Sequence, residues 1–152
     1  MDKIEKNTFT KRYKCIERRI ITHCEISGGF ESGIPIDEFP KFKKVNALWD
    51  TGATSSCVSN QLASKLNLVP IGFEKVYHAN GESFVPTYLI NITLPSETMF
   101  YCVHVLGCDL HGIDAIIGMD IISQGDFAIS NFEKNTYFSF RIPSTENISF
   151  GK

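Results

Sequence analysis

The sequence predicts an all-β domain with one or two short helices, and three observations carry that prediction. Apolar residues recur with period two through most of the chain, as strands with one buried face require. Clusters of Gly, Pro, Asn and Asp separate these runs, and each marks a turn or loop. Helical spacing is confined to two brief segments, and no repeat of fixed period is present.

Composition bounds the remaining choices. A chain of 152 residues with 43% apolar and 21% charged side chains suits one folded domain with a real core. A net charge of −2 argues against binding dominated by nucleic-acid phosphates. Positive charge gathers in residues 1–19, where seven basic and three acidic side chains leave +4. We read residues 1–15 as a solvated basic arm, 16–142 as the folded domain and 143–152 as a disordered tail. The opening residues lack a signal-peptide core, and no run approaches the roughly eighteen apolar residues of a membrane span. A cytoplasmic setting without membrane contact is the expectation. Five cysteines at irregular spacing argue against a disulfide framework.

The elements follow in order. In "CIERRIITHCEI", Ile16, Ile20, Cys24 and Ile26 share one face with Arg18 and Thr22 between them, a strand with one solvated end. "SGGFESGIPIDEFPKFK" is a Gly- and Pro-rich connection. "KVNALW" sets Val45, Ala47 and Trp49 on one side of a strand that leads directly into Asp50. In "SNQLASKLNLVP", Asn60 is a suitable cap, Leu62 and Leu66 are four apart and Pro70 halts a short helix. "EKVYHANGESFVPTYLINITL" reads as a long hairpin about Asn80-Gly81, both at positive φ in a type I′ turn. Pro86 marks an edge or bend within it. "TMFYCVHVLG" and "IDAIIG" are further strands, and "MDIISQG" is a short helix closed by Gly125. "DFAIS" and "YFSFRI" form a closing hairpin, for a total of eight or nine strands.

Within this pattern Asp50 needs an explanation. It sits between an apolar strand and the small residues of "TGATSS", and a buried carboxylate must be satisfied, neutralised or used. An ordinary turn is the simplest alternative, since Asp and Gly favour turns for local reasons. A second apolar-apolar-Gly element, Ile116-Ile117-Gly118, favours use.

"LWDTGATSS" together with "AIIGMD", with an Asn-Gly hairpin between them, resembles the retropepsin-like aspartic proteases over roughly residues 16–142. The resemblance implies a single-lobed acid-protease subunit with a flap hairpin, acting as a homodimeric aspartic endopeptidase on extended peptide substrates. Its catalytic residues would be Asp50, Thr51 and Gly52, with one Asp50 from each subunit. Two close carboxylates share a proton, so one serves as base on a water while the other donates to the scissile carbonyl. Gly52 would lend an N–H to the carboxylate, and Thr51 would brace the twin loop across the interface. Ala53 and Thr54 would meet substrate backbone, as would the flap tip of His78, Ala79, Asn80 and Gly81. Ile116, Ile117 and Gly118 would support the loop from beneath. No metal or other cofactor is implied, and no nucleic acid.

The chain departs from the family pattern in two places. Its flap, "YHANGESF", is poorer in glycine, and Met119 follows the second Gly where some members have Arg. Asp120 is then expected to pair with Arg18 or Arg19. Other readings of the same residues are weaker. Cys102, His104, Cys108 and His111 match no familiar zinc spacing. Cys57 with His78 would make a Cys/His hydrolase, but nothing in the sequence orients that histidine. A noncatalytic dimerisation or peptide-binding module on the same fold is the main alternative to the enzyme.

Overall fold

The structure, a computed structural model, describes residues 7–151. Ten strands, two short α-helices and one 3-10 turn make up the chain over that range. The strands are β1 (Thr8–Arg12), β2 (Ile21–Gly28), β3 (Lys43–Trp49), β4 (Cys57–Ser59), β5 (Gly72–His78), β6 (Gly81–Thr93), β7 (Met99–Cys108), β8 (Ala115–Ile117), β9 (Asp126–Phe132) and β10 (Asn135–Arg141). Helix α1 spans Asn60–Lys65 and α2 spans Met119–Ile122.

Seven strands form one sheet in the order β2-β3-β8-β4-β7-β6-β5. A further pairing of Glu25–Gly28 in β2 with Ile90–Thr93 in β6 curls the first six into a closed barrel. Closure leaves the first part of β6 with β5 as its neighbour, so residues 72–87 extend from the barrel as a two-stranded hairpin. Pro86 lies just before β7 joins at Thr87, where a missing N–H costs no ladder bond on that side. The remaining strands form a separate three-stranded sheet, β1-β10-β9.

The two sheets meet at an aromatic cluster. Alternation along β3 buries Val45, Ala47 and Trp49, as the period-two pattern requires. Trp49 meets Phe138 and Phe140 at ring centroid distances of 4.9 Å each, with Phe9 at 6.0 Å and Phe127 at 6.2 Å. Phe138 and Phe140 are wholly buried, and burial of such side chains contributes about 2 kcal/mol each. The Trp49 indole N–H donates to Thr22 Oγ1 at 2.9 Å, which satisfies a polar group buried in an apolar site.

Several local expectations are corrected. Residues 16–20 are not strand, and Ile16 is exposed, because the chain bends where Thr136 bonds Cys15 and Glu17. Thr22, between Ile20 and Cys24, is 1% exposed, and its hydroxyl oxygen accepts from the Trp49 indole. Thr8–Arg12, read as part of a solvated arm, pair with β10, and Cys57–Ser59 form a further strand, which brings the count to ten. Ser59 rather than Asn60 caps α1, accepting from the Leu62 N–H at 3.0 Å.

The turns also differ. Register places Ala79-Asn80 at the hairpin tip, with His78 opposite Gly81, and Gly81 alone takes a positive φ of 125°. The turn with two central residues at positive φ joins β9 to β10, at Glu133 (49°) and Lys134 (60°). Ser144 and Thr145 turn back to donate to the Asp126 carboxylate, which Arg141 also engages at 2.7 Å.

That carboxylate gives a pH dependence with a definite sign. The Ser144 hydroxyl, then the Arg141 guanidinium, hold the Asp126 pKa below its ordinary value. A group held lower in the folded chain stabilises fully above its unfolded pKa, near 4, and loses that contribution as pH falls through the folded value. Denaturation of Asp126→Asn followed from pH 6 downward should accordingly lack this step. For the core, Thr22→Val keeps the shape but strands the indole N–H, and should cost about 1–3 kcal/mol in urea denaturation.

Candidate active site

Asp50 is the first residue beyond the anchored Trp49, so the aromatic cluster fixes where its backbone emerges. Its N–H donates to Ile117 O at 3.0 Å, tying the end of β3 to the end of the parallel strand β8. Its carbonyl accepts from the Ala53 N–H at 3.2 Å, and its Oδ1 accepts from the Gly52 N–H at 2.8 Å. A Cβ at position 52 would stand only 3.1 Å from that Oδ1, so a residue without a side chain lets the backbone close on the carboxylate. Thr51 is exposed beside it.

The rest of the loop is fastened from beneath. Met119 N–H donates to Ala53 O at 2.8 Å and Asp120 N–H to Thr54 O at 3.2 Å. Asp120 is the principal polar anchor. Its Oδ2 accepts from the Ser56 N–H at 2.9 Å, and its Oδ1 accepts from Ser56 Oγ at 2.7 Å and the Ile121 N–H at 3.0 Å. Ser56 Oγ in turn accepts from the Gly118 N–H at 3.0 Å. A Cβ on Gly118 would come within 2.8 Å of Ala53 O and Ser55 C, so the close approach itself requires glycine. The expected pairing of Asp120 with Arg18 or Arg19 is therefore corrected. Ser56 is buried, its N–H and O–H need an acceptor, and Asp120 supplies one.

Arg18 and Arg19 are found elsewhere, in an open cleft of about 340 Å³ beside Asp50. Ile20, Leu48, Trp49, Thr51, Phe127 and Ile129 complete its walls. Phe127 and Ile129 escaped the sequence reading because they lie far from Asp50 along the chain and carry no local motif, and the arginines were expected at Asp120 instead. Of the sequence-predicted residues, Asp50 and Thr51 line this cleft, with Gly52 adjacent. Ala53 and Thr54 have their carbonyls engaged by the support described above. Ile117 and Gly118 are buried and Ile116 half-buried, between β3 and β4. His78, Ala79, Asn80 and Gly81 form the exposed hairpin tip and do not border the cleft.

The Cys and His residues separate in space. His104 faces Glu74 at 3.7 Å and His111 faces Asp109 at 3.8 Å. Cys108 lies beside Cys57, and the interaction between the two thiols raises the Cys57 pKa and lowers that of Cys108. Among the described residues, no three His, Cys, Asp or Glu side chains gather as metal ligands. Cys57 is buried next to Cys108, while His78 is exposed at the hairpin tip, so the two are not brought together.

The sequence profile described as aspartyl protease matches residues 36–121, more than half of the chain and inclusive of both the Asp50 loop and its support. The chain belongs to the aspartyl protease family. No curated protein sequence matches it. Among solved structures, a retropepsin-like aspartic protease from Rickettsia conorii matches with a TM-score of 0.55 at 14% identity, covering 89% of this chain and 95% of that one. The EIAV protease complexed with the inhibitor HBY-793 matches with a TM-score of 0.50 at 18% identity, covering 71% and 88%. The fold of this aspartyl protease family member is retropepsin-like.

The support makes a sharp demand on two side chains. Asp120→Ala leaves buried Ser56 groups without an acceptor and should cost about 2–3 kcal/mol. Gly118→Ala forces the loop off β8 and should cost a similar amount, about 1–3 kcal/mol. Urea denaturation of both variants measures these losses.

Proposed function

We propose that the protein is a homodimeric aspartic endopeptidase that cleaves extended peptides with a water activated between two Asp50 carboxylates, one per subunit. The observation that carries this reading is Asp50 itself, held by the Gly52 N–H at the wall of an open cleft on a loop fastened at both ends. Asp-Thr-Gly occurs once in this sequence, so a second copy is the simplest source of a second carboxylate.

The chemistry follows from proximity. Two carboxylates in contact do not both ionise, so a single proton is shared between them. The ionised member takes a proton from the water as it attacks the scissile carbonyl carbon. The protonated member gives its proton to the carbonyl oxygen as that carbon becomes tetrahedral. The β5–β6 hairpin is the candidate lid, closing over substrate once a dimer completes the groove. Five unpaired cysteines suit a reducing, cytoplasm-like setting.

A noncatalytic peptide-binding module is favoured by one feature, the hairpin tip that stays clear of the cleft. Asp50→Asn separates the readings. It keeps the loop's size and should lower peptide cleavage at mildly acidic pH by about 10²-fold or more. Undiminished turnover would rule out the catalytic role, and absence of cleavage in the parent protein would favour the binding module.

A further inference from the structure

The chemistry proposed for Asp50 leaves two cations in its cleft without a task. Arg18 and Arg19 lie at a bend between two fixed points of the chain. On one side, the Glu17 N–H donates to Thr136 Oγ1 at 2.9 Å, and Cys15 O accepts from the Thr136 N–H at 3.1 Å. On the other, Ile20 is buried and its carbonyl accepts from the Trp49 N–H at 2.9 Å, one residue before Asp50. The backbone of the two arginines is therefore pinned beside Asp50, while both residues are exposed.

Neither arginine forms an ion pair among the described residues. Asp120, the acid that the sequence offers them, is committed to Ser56 and the Ile121 N–H. Apart from Asp50 itself the cleft wall holds no acidic residue, and Ile20, Phe127 and Ile129 make much of it apolar. A guanidinium at an apolar, concave wall is only partly hydrated, which strengthens its attraction for a carboxylate. Its planar fork also suits bidentate bonding to one.

Resting on the endopeptidase reading, we infer that Arg18 and Arg19 determine specificity, selecting peptides with an aspartate or glutamate near the scissile bond. An extended chain advances about 3.3 Å per residue, so an acidic side chain entering the cleft of about 340 Å³ beside Asp50 comes from within about three positions of that bond. The substrate carboxylate accepts from one or both guanidinia, and the apolar wall receives a neighbouring side chain. The two positive charges also draw acidic segments toward the cleft from solution, an attraction that salt weakens. Substrate selection thus falls to a segment that precedes β2 and takes no part in breaking the bond.

Matched peptides test this, each pair differing only by Asp against Asn, or Glu against Gln, at one of the three positions on either side of the bond. The parent should cleave the acidic member of at least one pair with kcat/KM about tenfold or more above its amide twin, and added salt should shrink that ratio. Arg18→Gln combined with Arg19→Gln should bring the ratio close to one. Arg18→Glu combined with Arg19→Glu should turn the preference to a lysine at the same position. Each ratio is read within one protein, so a loss of stability in a variant does not mimic the effect. Equal cleavage of acidic and amide peptides by the parent, or a preference that survives both pairs of substitutions, overturns the selection. If Asp50→Asn still abolishes cleavage in that case, the protease reading stands. Arginine variants that weaken dimerisation and leave the ratio unchanged assign the two cations to subunit contact and overturn the selection also. A parent that cleaves no peptide defeats the protease reading and this inference together.

Discussion

The site depends on one constraint, the close contact between the Asp50 loop and the chain at Gly118–Asp120. Trp49 fixes where the loop begins, but nothing in β3 alone dictates how residues 51–56 turn. Their path is set by backbone bonds from Met119 and Asp120, by the Asp120 carboxylate on Ser56, and by the absence of a side chain at Gly118. A carboxylate that accepts from a buried backbone N–H and a buried hydroxyl is a strong restraint, since charged acceptors form the firmer hydrogen bonds. The loop is thereby held rigid, as preorganised chemistry demands.

The barrel and the second sheet divide the remaining work. Barrel closure through the β2–β6 pairing removes most free edges from the larger sheet and leaves the β5–β6 hairpin to project. The smaller sheet backs Trp49 with four phenylalanines and carries its β9 edge to the rim of the cleft. Core, loop and open edge thus occupy adjacent positions around the same carboxylate.

Much of this was legible in the sequence, and the exceptions have physical causes. The alternation in "KVNALW" and the pair of motifs located β3, the loop and its support, because burial and close approach restrict residue type at those positions. The partner of Asp120 was not legible. A buried Ser56 is indistinguishable in sequence from an exposed serine, and only the fold brings the two within 2.7 Å. The Ala79-Asn80 tip shows the limit of turn rules. Asn80-Gly81 carries the composition of a type I′ turn, yet strand register assigns the tip one residue earlier and leaves Gly81 as the residue at positive φ. Thr8–Arg12 escaped as a strand because its charges suggest solvent, whereas Phe9 packs on Trp49 and Phe138.

The central claim is that one active centre requires Asp50 from two chains, and a mixing titration addresses it most directly. Wild-type protein is combined with increasing Asp50→Asn protein at constant total concentration, equilibrated to exchange subunits, and assayed for peptide cleavage. A shared centre predicts that activity falls with the square of the wild-type fraction, because mixed dimers are inactive. Activity that falls only in direct proportion to the wild-type fraction would show that each chain works alone, and would contradict the account.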